Sequence, residues 1–233
     1  MSLRMARIYG AVGRRGDQRT AMDRLESICH VCVDVLPISG AGVMLMAERV
    51  HQGTLYATDH RISKLEALQN AAAEGPCIDS YTLGQPVLEP DLAVGGVRTW
   101  PLLAAAAMDL GICALFSFPL QIDDSSLGAL DLFREEPGTL TSEQVHDARL
   151  LAAMATREVL TMQAEGPTGS LPGRITDLSG DRAAIEQATG MAAAQMNAGV
   201  VEAARRLREV ATEHQRPLAE IAHDIVGRVL RVV

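Results

Sequence analysis

Aromatic residues are scarce, at 3% of a 233-residue chain, and Tyr9, Tyr56, Tyr81, Trp100, Phe116, Phe118 and Phe133 all precede residue 134. The remainder of the chain therefore has no aromatic platform on which a base can stack. Long apolar runs are also missing. The longest, Leu102 to Met108, falls far short of the roughly 20 residues that cross a bilayer. The first sixteen residues carry Arg4, Arg7, Arg14 and Arg15 but no continuous apolar core, so no secretory leader is expected. Cysteine is thin for a disulfide framework: Cys29, Cys32, Cys77 and Cys113 suit a reducing compartment, and a cytoplasmic location is expected. No P-loop, GxSxG or HExxH pattern occurs, which removes the nucleotide hydrolases, serine hydrolases and zinc peptidases that carry those signatures. What is present, 48% hydrophobic and 21% charged residues, is the balance of a folded globular chain.

The net charge of -8 is distributed unevenly. Residues 1–165 hold 13 Arg/Lys against 21 Asp/Glu, whereas residues 178–233 hold seven of each. Between them, Gly166-Pro167-Thr168-Gly169-Ser170-Leu171-Pro172-Gly173 has the composition of a linker. Two unlike modules are expected, over residues 20–163 and 178–233, joined by residues 164–177.

In the first module, Met22, Leu25, Cys29, Cys32 and Leu36 recur at steps of three and four, the period of one helix face, and Pro37 stops the pattern. Gly42–Met46 and Gly53–Thr58 read as strands, and Ser63–Ala73 reads as a helix ending before Gly75-Pro76. Gly111–Leu120 and Leu127–Phe133 form an antiparallel pair across residues 121–126, with Asp131 pointing away from the face shared by Leu130 and Leu132. Thr141 and Gln144 have capping-box spacing. Beyond them Val145, Ala148, Ala152, Ala155, Val159 and Met162, widened by Leu151 and Met154, form a stripe that needs a partner, either the first helix or a second subunit. This order predicts an α+β domain around one antiparallel sheet.

The segment Glu74-Gly75-Pro76-Cys77-Ile78-Asp79-Ser80-Tyr81, with Gly84-Gln85-Pro86-Val87 and Pro90-Asp91-Leu92 after it, resembles the third-strand region of GAF domains, and Trp100-Pro101 before an alanine-rich helix is similar too. The resemblance implies a small-molecule sensor and dimerisation module. Tyr56, Cys77, Asp79, Tyr81, Trp100, Phe116 and Asp131 are then the candidates to line its pocket, an apolar set with a few polar handles. Core packing explains most of the aromatic ones equally well. The effector, and any cofactor, is unknown. Cys29-His30-Val31-Cys32 is not read as a metal or haem site, because both cysteines belong to the apolar stripe and no second ligand pair follows. Some GAF-like domains reduce methionine sulfoxide, but neither Cys77 nor Cys113 has a nearby Lys or His to activate a thiolate, so no enzyme is expected.

Three amphipathic helices follow the linker: Asp181–Met196 with Ile185, Ala188, Ala192 and Met196; Val200–Glu213 with Val200, Ala204, Leu207 and Ala211; Pro217–Val229 with Leu218, Ile221, Ala222, Ile225 and Val229. A three-helix bundle with a thin, alanine-rich core is expected, and Gly190 would permit close helix approach. Gln187-Ala188-Thr189-Gly190-Met191, Glu202–Ala211 and Arg216–Val226 together resemble an ANTAR domain, although Ala192 and Ala193 stand where that family usually has large apolar residues. The resemblance implies a homodimer that engages paired RNA stem-loops and prevents a terminator from forming. Gln187, Gly190, Arg205, Arg208 and Arg216 are the expected RNA-binding residues. Arg206 lies three, four and seven residues from Glu209, Glu202 and Glu213 and is expected to be neutralised, whereas Arg205 has Glu209 close. Two alternatives stay open. One is a DNA-binding helix-turn-helix, disfavoured because Glu220 and Asp224 occupy the first turns of the third helix; the other is a tail that dimerises or binds a protein.

Overall fold

The structure is a computed structural model that describes residues 3–15, 20–47, 50–123, 125–165, 178–196, 198–214, 216 and 218–230. For residues 3, 4, 47, 50, 51, 178–183, 186, 200, 201, 208, 212, 213, 218 and 219 it describes the backbone alone. The chain divides into two compact units, Met1–Thr176 and Asp177–Val233. Of the expected linker, 164–177, residues 164 and 165 belong to a helix that ends at Glu165, and residues 166–177 lie outside the described residues.

The first unit runs α1 (Leu3–Gly13), α2 (Ala21–Val35), β1 (Gly40–Ala47), β2 (Val50–Ala57), α3 (His60–Ala72), α4 (Pro76–Leu83), β3 (Val87–Glu89), a π-turn (Leu92–Gly96), α5 (Val97–Thr99), α6 (Pro101–Asp109), β4 (Ala114–Ile122), β5 (Ser125–Arg134) and α7 (Ser142–Glu165). The five strands form one antiparallel sheet in the order β2-β1-β5-β4-β3. Alternation gives this sheet two chemically different faces. Ala41, Val43 and Leu45 of β1, Phe116 and Phe118 of β4 and Leu130 and Leu132 of β5 join the core with α2 and α7. On the opposite face Leu115 and Phe133 pack with α3 and α6, and Met44, Met46 and Ala129 pack with α4.

Three features of this unit differ from the sequence reading, and one alternative that it left open is decided. Helix α1 is absent from that reading; Ile8 and Val12 bury it in the α2–α7 core. The segment read as third-strand region is mostly helix: Gly75 at φ +139 starts α4, Pro76 fills its first position and Gly84 at φ +63 ends it, leaving three residues of strand. Eight residues are too few to show a helical period. The β4–β5 joint is far tighter than residues 121–126, since Gln121 pairs with Ser126 and Ile122 with Ser125, and Asp123 turns the chain at φ +48. Finally, α2 partners α7 within the chain and buries Ala148, Leu151, Ala152, Ala155 and Val159, so this stripe is not left for a second subunit.

The predicted cap forms before α7, where Thr141 and Gln144 satisfy each other's backbone N–H groups. Thr20 and Asp23 cap α2 in the same reciprocal way. Two carboxylates interrupt the apolar side of α7. Asp147 receives Arg7 of α1 at 2.8 Å, and Glu158, 2% exposed, receives Arg24 of α2 at 2.7 Å and Arg157 at 3.0 Å. Burial makes these contacts structural, because removing one partner leaves a charge that water cannot reach.

The second unit comprises α8 (Leu178–Met196), α9 (Val200–Glu213) and α10 (Leu218–Val226). Its described core is Ala184, Ala188, Ala192, Ala203, Leu207, Val210, Ala211, Ile221, Ala222 and Ile225, so small side chains set the helix separation. Ile185 and Met196 pack at its margin. On α9 the buried stripe is Ala203, Leu207, Val210 and Ala211, with Ala204 half-buried; the side chains of Val200 and Leu218 lie outside the described part. Gly190 is exposed, and a Cβ there would meet nothing within 4 Å, so close helix approach does not depend on it. Val229 is 79% exposed, because α10 stops at Val226 and the chain turns at Gly227-Arg228.

Arg24→Ala is expected to destabilise the first unit by about 3 kcal/mol, the low end of the cost of opening a buried pair because Arg157 stays on Glu158. Thermal unfolding should show most of that loss recovered in Arg24→Ala/Glu158→Gln; an additive double variant would mean that the pair does not hold α2 to α7.

Candidate functional site

On the α3–α4–α6 face of the sheet, four elements bring polar groups together in the protein interior. Gln69 of α3 donates from Nε2 to Asp131 Oδ2 at 2.8 Å, and its Oε1 accepts from the Cys77 backbone N–H at 3.0 Å. The Ser117 hydroxyl donates to Asp131 Oδ1 at 2.6 Å and lies 3.2 Å from the Ser80 hydroxyl. Asp131, Gln69, Ser117 and Ser80 are all at most 2% exposed. Nearby, the Thr54 hydroxyl donates to Glu66 Oε2, while Glu66 Oε1 is buried and has no hydrogen-bond partner among the described residues.

Burial pushes the Asp131 carboxyl from its ordinary 3.8 up to about 6, opposed by the hydrogen bonds from Ser117 and Gln69. Glu66 is raised well above the usual carboxylate range, first by burial and then by the nearby Asp131 charge, while Thr54 acts against the shift. Both environments thus favour the protonated form relative to an exposed carboxyl. Cys77 is likewise raised, by burial and then by Asp131, Glu66 and Asp79, so its environment suppresses the thiolate that redox chemistry requires.

Of the seven residues expected in a pocket, Cys77, Asp131 and Tyr81 belong to this face, with Tyr81 half-buried against the Cys77 group. Trp100 and Asp79 join through the indole N–H, which donates to Asp79 Oδ2 at 2.9 Å. Phe116 and Tyr56 lie on the other face, in and against the α2–α7 core. The Tyr56 hydroxyl is 2.8 Å from His30 Nε2, and Cys29 and Cys32 are fully buried, their thiols raised by burial. Among the described residues no group of three or more His, Cys, Asp or Glu is arranged to hold a metal ion. Sequence reasoning missed Glu66, Gln69, Thr54, Ser80 and Ser117. Glu66 and Gln69 carry a signal, since both are polar and three apart in a helix whose other inner residues are Ile62 and Leu65.

In the helical unit the expected cations are not equivalent. Arg205 is bound by Glu202 at 2.5 Å and also by Glu209, so Glu202 serves it and not Arg206 alone. Arg206 lies 3.5 Å from Glu209. Arg216 pairs with Glu220 at 3.1 Å and Asp224 at 2.8 Å. The Arg205 and Arg216 forks remain partly exposed, at 57% and 41%. The side chain of Arg208 lies outside the described residues. Gln187 and Gly190 are exposed on α8, four and one residue from Met191.

With this geometry in place, the first unit has the GAF fold. It is similar to the GAF domain from a phosphoenolpyruvate-protein phosphotransferase of Acinetobacter (11% identity, TM-score 0.52, 72% of this chain and 99% of that one) and to its counterpart from Coxiella burnetii (14%, 0.52, 70% and 94%). Residues 179–226 match the family model described as ANTAR domain. The chain thus joins a unit with the GAF fold to a C-terminal segment, residues 179–226, that carries an ANTAR domain match. None of the curated proteins matches it in sequence. Among the described residues no helix is long and apolar enough to cross a membrane.

A carboxyl raised in the folded state supports stability below its ordinary value and loses that contribution as pH rises through about 6. Asp131→Asn can accept from Gln69 and donate to the Ser117 oxygen, without the buried charge. Its unfolding free energy should exceed that of the parent by about 3 kcal/mol above pH 7, the equivalent of a carboxyl raised from 3.8 to about 6. The gain should vanish below about pH 4. A variant less stable at every pH would mean that the carboxylate itself is required.

Proposed function

We propose that this protein is a cytoplasmic transcription regulator whose C-terminal unit binds stem-loop RNA and acts by antitermination, under control of the N-terminal unit. The observation that carries the proposal is the ANTAR match on a compact three-helix unit that follows a GAF fold. Gln187, Gly190, Arg205, Arg208 and Arg216 are the proposed RNA contacts. Because residues 178–233 are electrically neutral, one copy gains little from phosphate neutralisation, and two copies on paired hairpins double the contacts. A homodimer is therefore part of the proposal. The α2–α7 packing means that its interface lies elsewhere than the α7 stripe. The N-terminal unit is proposed to sense a small molecule on the face that holds Asp131, Gln69 and Cys77.

A helix-turn-helix mode on duplex DNA is less well supported. The exposed groups of α10 include Glu220 and His223, and its Asp224 is committed to Arg216.

The direct test is a gel-shift comparison of the full chain on paired-hairpin RNA, single-hairpin RNA and duplex DNA at fixed salt. Paired hairpins should bind tightest, with two chains per RNA. Equal binding to duplex DNA would remove the antitermination reading. Glu202→Gln/Glu209→Gln, which frees Arg205, should tighten RNA binding a few-fold and steepen the salt dependence by about 0.7 for each further phosphate neutralised.

A further inference from the structure

The end of α10 combines two departures from ordinary helix termination. The Val229 N–H bonds to the Asp224 carbonyl at 2.7 Å and the Arg228 N–H to the Ile225 carbonyl at 3.0 Å, which is the Schellman pattern. In that pattern the left-handed position belongs to glycine. Here Arg228 occupies it at φ +59, although Gly227 stands one residue earlier. The residue after it usually folds back onto the helix to make an apolar contact. Val229 does not: it is 79% exposed. A charged residue held in a disfavoured conformation beside an apolar side chain in water is a feature to be explained by function.

Charge separates this site from the other described cations of the unit. Arg205 and Arg216 are each held between two carboxylates, and Arg206 has Glu209. Arg228 is exposed and makes no ion pair among the described residues. A phosphate reaching Arg205 competes with two carboxylates for the same charge; a phosphate reaching Arg228 displaces water and counterions. We infer that the Arg228-Val229 turn is a principal RNA contact of this unit, with the Arg228 guanidinium on a backbone phosphate and the Val229 side chain against an unstacked base or sugar. This rests on the RNA reading above and adds a site to it. An apolar contact of that kind fits a unit that has no aromatic residue to stack on bases.

Fluorescence anisotropy of the full chain on paired-hairpin RNA across a potassium chloride series tests the inference. Arg228→Gly removes the guanidinium and relieves the backbone, so its melting temperature should equal or exceed that of the parent. Its affinity should fall about fivefold, and the slope of log affinity against log salt should shrink by about 0.7 to 0.9. Arg228→Lys should restore the slope. Val229→Ser should weaken binding with the slope unchanged. If Arg228→Gly binds like the parent at every salt concentration while Arg205→Ala loses affinity and slope, the turn is not a contact. If the parent itself prefers no RNA over duplex DNA, the RNA reading fails and takes this site with it.

Discussion

The period-two alternation of β1, β4 and β5 constrains everything else in the first unit. Because Phe116, Phe118, Leu130 and Leu132 must face one way, Ser117 and Asp131 must face the other. One face is closed by α2 and α7 with aliphatic and aromatic side chains. The opposite face receives Ser117 and Asp131, and α3 and α4 supply Gln69, Ser80 and the Cys77 backbone to satisfy the polar groups there. A one-residue slip of β5 would place Asp131 in the apolar core, so the same register that builds the hydrophobic layer also defines the polar one.

The two units treat charge in opposite ways. In the first, Arg7 and Arg24 neutralise carboxylates buried on α7 and are structural. In the second, the ion pairs of Arg205 and Arg216 lie at the surface, where such pairs are weak and exchangeable. A guanidinium shared between two carboxylates still has donors to give, but it contributes less net attraction than its count in the sequence implies. Neutral composition and local pairing together make affinity for nucleic acid depend on few contacts, on salt and on the number of copies engaged.

Much of this is legible in the sequence. The stripes of α2 and α7, the reciprocal cap at Thr141, the orientation of Asp131 and the three C-terminal helices follow from period and spacing. What is not legible has physical causes. Helix α4 is too short for its period to show and is defined by Gly75 and Gly84, whose conformations emerge only with the fold. Residue type groups Tyr56 and Phe116 with Asp131, and only the register separates them onto the other face. Spacing assigns Glu209 to Arg205, yet Glu202, three residues before it, binds the same guanidinium. The left-handed Arg228 carries no sequence signal at all, since glycine stands beside it in the position a pattern would choose.

In the mechanism proposed here RNA is held by the helical unit and not by the sheet domain. Photo-crosslinking of the full chain to a paired-hairpin RNA, followed by peptide mass spectrometry, separates the two. Adducts should be confined to residues 178–230 and competed by unlabelled hairpin RNA. Adducts concentrated in residues 20–163, or an adduct pattern competed equally by duplex DNA, would contradict the mechanism.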